Sequence, residues 1–237
     1  MKIRYHFISY PIKLQEEKET KQPSSYSNYI SSFISGTISG FAGELFSSFQ
    51  NRTAKAVLHE AKFYDACVTS GVQQISKDFT KSALKRTKLF NNLSQTNPLL
   101  FGAATGVPML ILTRCFATPL ENLRKNKKCS FDGFEHSIIK DAAYHSIKNG
   151  LDQYFEAIVY PKVLPRFNSF MTKKLVEASC AGMIGGASYV LAWPYKTLID
   201  RQRIDEAFKL MARMIPKVGI KKITYSLTKP EVLKILN

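Results

Sequence analysis

The chain has 237 residues, of which 45% are hydrophobic and 12% aromatic; this is long enough for one domain or two small ones and too apolar for a disordered chain. Lys and Arg number 34 against 18 Asp and Glu, so a formal charge of +16 must face something negative, either nucleic acid or anionic lipid head groups. Four cysteines, Cys67, Cys115, Cys129 and Cys180, occur without a CxxC pair and indicate neither a disulfide framework nor a zinc site.

The first segment, MKIRYHFISYPIK, is basic and free of acids but lacks the apolar core and cleavage site of a secretory signal; it is compatible with a mitochondrial address. Residues 1–28 form a polar N-terminal extension, with an EEKE run and a PSSYS stretch. Three apolar blocks follow, Tyr29 to Phe49, Pro98 to Thr118 and Leu175 to Pro194. The middle block carries only Arg114 across the ~20 residues that a bilayer crossing needs, which makes it the strongest transmembrane candidate. Pro108 is expected to kink it, and Arg114 to reach an interface or a partner's carboxylate. The outer blocks hold Glu44 and Glu177, and a buried core helix of a soluble protein stays open for each. Between and after the blocks lie basic segments, Lys55 to Asn97, Lys125 to Lys174 and Arg201 to Asn237. They carry helical periods such as Phe134, Ile138, Ala142 and Ile147, and read as amphipathic helices lying at a membrane surface.

Apolar block followed by basic amphipathic segment occurs three times, over 29–97, 98–174 and 175–237. Each block carries small residues four apart, Gly36 and Gly40, Gly102 and Gly106, Ala181 and Gly185, through which helices can approach closely.

The second block runs into PLENLR, Pro119 to Arg124, and the third into WPYKTLIDR, with Pro194 and Arg201 in comparable places. This resembles the mitochondrial carrier family, whose three odd-numbered helices end in a proline, an acid two residues on and a base three after that. The resemblance implies kinked helices whose charges pair to close a pore. Downstream, Phe131 and Gly133 in FDGFEHSIIKDAAYHSIKNG resemble the start of the family's matrix surface helix. Gly219, Tyr225, Pro230 and Lys234 in GIKKITYSLTKPEVLK resemble its link into an even-numbered helix. In the family such helix starts bind cardiolipin, so Phe131, Gly133, Gly219 and Tyr225 are candidate lipid contacts.

The departures are as informative. Phe49, Asn51 and Ala54 occupy the proline, acid and base places of the first repeat, and Lys196 and Ile199 the acid and base places of the third. Glu121 and Arg124 alone keep the pattern, with Lys196 as a new partner for Glu121. The landmarks at 49, 119 and 194 lie 70 and 75 residues apart, short of the family's repeat by about one membrane helix, ~25 residues. The aromatic-acid pattern of the family's even helices is not seen either, with Met171 at an acid place. The expected architecture is an all-α membrane protein with a carrier-like threefold pseudo-repeat. It keeps the odd-numbered transmembrane helices, has the even-numbered ones shortened or missing, and adds amphipathic surface helices.

Chemistry offers little competition. His6, His59, His136 and His145 lack metal spacing, with His136 and His145 expected on a solvated surface helix; no phosphate loop or nucleophile arrangement appears. No catalytic, cofactor or metal site is expected, and no enzyme. KSALKRTK and RKNKK lack interleaved stacking aromatics, which favours lipid over nucleic acid. The function expected is that of a non-transporting accessory subunit of a mitochondrial inner-membrane complex, a respiratory complex or the ATP synthase, binding neighbouring subunits and cardiolipin. The alternatives are a divergent carrier of a small metabolite working by alternating access, and an amphipathic scaffold.

Overall fold

A computed structural model describes residues 25–50, 61–126 and 128–237. Every regular element among them is helical. We number them α1 (Ser25–Gln50), α2 (Ala61–Lys85), α3 (Lys88–Thr96), α4 (Pro98–Asn126), α5 (Phe134–Tyr154), α6 (Phe170–Leu191), α7 (Trp193–Asp200) and α8 (Ile204–Leu236). Beyond Tyr154, α5 continues through a π-helical turn, Phe155–Val159, and two short turns ending at Arg166.

Local chemistry sets several boundaries. Pro98 opens α4 at a position where its missing N–H costs nothing, and the Asn97 side-chain oxygen accepts from the Leu100 N–H at 3.1 Å. Gly133, at φ 78, turns the chain into α5 in a conformation that a Cβ would oppose. At Ala192, just before Pro194, the third long rod bends by 48° between α6 and α7. Arg201, at φ 53, ends α7 in a left-handed cap. By contrast α4 runs through Pro108 and Pro119 as one helix.

The long helices pair as hairpins, α1 with α2, α4 with α5 and α6 with α8. Contacts of α2 with α4, α5 with α6 and α8 with α1 then close the three hairpins into a ring of six. The hairpin seams run through the small residues singled out in the sequence. Gly36 and Gly40 lie against Ser70 and Gly71 of α2, Gly102 and Gly106 against Asn149 and Ser146 of α5, and Ala181 and Gly185 on the buried face of α6 beside Val218. At Gly106 an added Cβ would fall 2.6 Å from the Ser146 backbone. Gly106→Val should therefore lower stability by roughly 1–3 kcal/mol, while Gly133→Ala, which meets no neighbour, should cost about 1–2 kcal/mol from its positive φ alone. Thermal unfolding in detergent compares the two, and only the first should also loosen the α4–α5 seam in hydrogen exchange.

The second helix of each hairpin is the main correction to the sequence reading. Where shortened or missing helices were expected, α2 has 25 residues, α5 has 21 before its π-turn and α8 has 33, although none of the three is long and apolar enough to count as a membrane span by length and composition. Most of each basic segment is one of these three ring members and not a surface helix; the short α3, within the first basic segment and without a buried residue, is the exception. What is short is the chain between paired helices, 127–133 before α5 and 201–203 before α8. The places of Asn51 and Ala54, like residues 1–24, lie outside the described residues.

Burial is inverted relative to a water-soluble bundle. Fifteen polar or charged side chains are buried among the described residues, against twelve apolar ones. Ser31, Ser32, Ser35 and Ser39 of α1 are all buried, where their size lets helices approach. Outside, the exposed residues of α4 from Leu99 to Leu123 are Leu99, Leu100, Ile111, Phe116, Leu120 and Leu123, all apolar. Pro98–Arg124 is long and apolar enough to cross a membrane, and α6 with α7 passes the same test as one bent span. The fold is thus all-helical and compatible with a membrane protein.

Candidate functional site: the charged interior of the ring

The second helices turn their charges inward. Lys77 and Lys81 of α2, Lys148, Asp152 and Glu156 of α5, and Lys221, Lys222 and Lys229 of α8 share the lining of a central cavity of about 340 Å³, with Met109 and Ala181 closing it from α4 and α6. On one side it continues through Ser70, Gln73 and Lys221 into a vestibule of about 460 Å³, reached by Arg114, Glu121 and Arg124. On the other side, beyond Glu156 and Lys222, a recess of about 530 Å³ opens beside Tyr160, Pro165 and Lys173.

Between cavity and recess, ion pairs tie the three second helices to one another. Lys77 meets Asp152 at 3.5 Å and Lys81 meets Glu156 at 3.4 Å, joining α2 to the α5 rod. Lys222 meets Glu156 at 3.3 Å, joining α8, and Lys229 meets Asp78 at 3.1 Å, completing the triangle back to α2. Ser32 donates to Asp78 at 2.6 Å and Tyr225 donates to Ser32 at 3.3 Å, which draws α1 into the closure. Glu156 sits in the π-turn, whose extra residue shifts the rod's register at the level of the ring. Phe155 stands next to Glu156 in this turn, with its ring edge-on to those of Tyr154 and Tyr160.

The opposite end is built differently. Glu44 of α1 pairs with Lys217 of α8 at 2.6 Å, and Asp65 of α2 with Arg124 of α4 at 2.6 Å. Asp141 of α5 takes Arg114 at 2.9 Å and Lys196 of α7 at 3.3 Å, and Arg114 also reaches Glu121 at 3.4 Å. Among the described residues every interhelical pair here joins neighbours in the wall, and none joins one first helix to another. The expected Lys196–Glu121 pair is therefore not formed; Arg114 and Asp141 stand between them. Lys196 is buried and also leans over the rings of Tyr189, at 5.0 Å, and Tyr144, at 5.7 Å. Removing Asp141 would strip Lys196 of its counter-charge and Arg114 of its closest one. Asp141→Asn should cost roughly 1–3 kcal/mol, against less for Glu121→Gln, as read by thermal unfolding.

The remaining sequence candidates disperse. Pro119 lies within α4, Pro194 follows the bend, and Arg201 caps α7 in an exposed position. Phe131, exposed, packs edge-on against Phe134 beside Gly133 at the start of α5, not of a surface helix. Gly219 and Tyr225 are mid-helix in α8, Gly219 against the Ala178 carbonyl and Tyr225 inside the closure, so neither stands at a helix start. His136 is exposed and near Asp200, whereas His145, expected on a solvated face, lines the vestibule.

In charge, the central cavity holds six lysines against three carboxylates, an excess of three positive charges. Asp152 is shared by Lys77 and Lys148, and Glu156 by Lys81 and Lys222. Lys221 lines both cavity and vestibule and makes no ion pair among the described residues. Such an interior can hold a small anion, with cations on three walls and hydroxyl and amide groups between them. No protein-family model matches the chain, and no significant match appears among curated proteins or solved structures.

Proposed function

We propose that the chain is a divergent six-helix membrane carrier that takes a small anionic solute into its central cavity. The observation that carries this reading is the asymmetry of the ring. A polar, net positive cavity is shut at one end by ion pairs among the three second helices and opens at the other into a vestibule whose pairs stay in the wall. Alternating access requires such an arrangement, because closure at one end has to yield when the other end forms. The inverted burial supports a bilayer location, and the family resemblance carried by Pro119, Glu121 and Arg124 supports the mitochondrial inner membrane.

The accessory-subunit reading keeps one observation in its favour. With Lys196 and Ile199 in the acid and base places of the third repeat, and no pair joining first helices among the described residues, the means to close the vestibule are reduced. Counter-exchange in proteoliposomes separates the two. Saturable uptake of at least one anion from a panel of phosphate, dicarboxylates, tricarboxylates and nucleotides supports carriage. No uptake across the panel, with salt-stable co-migration of the chain in a large inner-membrane complex bearing cardiolipin, supports the subunit reading.

A further inference from the structure

Outside the ring, the passage from α2 to α4 through α3 forms a corner at the closed end. No residue of α3 is buried, and its apolar side chains, Leu89, Phe90 and Leu93, fall within an arc of about 100° while Asn91, Asn92, Ser94 and Gln95 take the rest of the helix. Leu89 is 74% exposed, and Leu99 and Leu100 beside it open the apolar outer face of α4. Lys85, Arg86 and Lys88 precede this surface; Lys85 leans over the Phe101 ring, while Arg86 and Lys88 make no ion pair among the described residues. The sequence contains no Asp or Glu between Asp78 and Glu121.

We infer that this corner is a docking surface for an anionic lipid bilayer, with Leu89 entering the acyl boundary and Arg86 and Lys88 holding phosphate head groups. An amphipathic helix with an apolar arc, a polar arc and unopposed flanking cations has the chemistry of an interfacial helix. Continuity with the exposed face of α4 selects lipid over a protein partner, since the same apolar belt runs on from Leu99 to Leu123. The inference rests on reading that outer belt as lipid-facing. It adds a preference for anionic lipid at one end of the molecule, which that reading alone does not require.

The test reconstitutes the full chain carrying L89W in a W193F background into bilayers of phosphatidylcholine and cardiolipin, with bromine on one lipid or the other. Quenching of the introduced indole should be several-fold stronger when cardiolipin carries the bromine. R86Q/K88Q should remove that preference while leaving quenching by brominated phosphatidylcholine. Equal quenching by the two lipids, unchanged by R86Q/K88Q, overturns the inference and leaves the membrane reading standing. Absence of quenching by either lipid sinks both. Should the W193F background fail to fold, native mass spectrometry of the otherwise unsubstituted chain decides: fewer retained cardiolipins in R86Q/K88Q support the surface, and equal retention overturns it.

Discussion

Asp78→Lys should abolish solute exchange, and Lys229→Asp added to it should restore a measurable part. Lys229 reaches Asp78 at 3.1 Å and forms the only described ion pair that joins α8 directly to α2. Reversing Asp78 alone puts two cations face to face at a half-buried position and leaves the Ser32 hydroxyl without its carboxylate acceptor, so the triangle opens on that side. Reversing both rebuilds the attraction, although Lys229 also packs over the Tyr225 ring at 5.4 Å and that contact is lost. The coupling between the two substitutions should be roughly 0.5–3 kcal/mol in thermal stability. Additive losses in stability, with no recovery of exchange in the double variant, would mean that the pair does not hold the ring shut.

The second large effect is expected at Lys221. It lines both cavity and vestibule and makes no ion pair among the described residues, which leaves its charge for an incoming anion, whereas nearby Lys217 is engaged by Glu44 at 2.6 Å. A charged hydrogen bond contributes about 1.5–3 kcal/mol, so Lys221→Gln should weaken anion binding by roughly 10- to 100-fold. Lys217→Gln should instead act on stability, because it strands Glu44. Titration of the purified chain with the anion identified by exchange, followed calorimetrically, reads the first effect, and unfolding temperature reads the second. Equal loss of affinity in both variants would remove Lys221 from any special role.

Much of the first-helix half of this structure is legible in the sequence, and most of the second-helix half is not, for one physical reason. Hydropathy finds helices that are apolar all round, and α4 is close to that limit: its exposed residues are apolar and its buried face includes Phe101, Met109 and Leu110. The second helices spend one face on a charged interior. In α2, Lys77 and Lys81 stand one turn apart, and in α5 Lys148, Asp152 and Glu156 repeat at the same interval. That i, i+4 stripe was the available signal, and a solvated surface helix produces the same stripe. What distinguishes a pore-facing stripe is pairing across helices 75 residues apart in the chain, as for Lys77 with Asp152, which spacing within one segment cannot reveal. Landmark spacing was ambiguous for a related reason: it does not say which element between two landmarks is short, and the described connections before α5 and α8 are brief while the helices after them are long. Small residues were more informative because close approach demands them wherever helices cross, whether the opposite face meets lipid or a charged cavity.

As proposed, the six-helix ring crosses the bilayer with its cavity open at the vestibule end alone. Single cysteines at Gln73, in the cavity wall, and at Lys173, in the outer recess, introduced after replacing the native cysteines by serine, test it in oriented proteoliposomes with a membrane-impermeant thiol reagent. The Gln73 position should be labelled from one face only and the Lys173 position from the other, with the anion protecting the first. Labelling of both positions from the same face, or of the Gln73 position from either face alike, would contradict it.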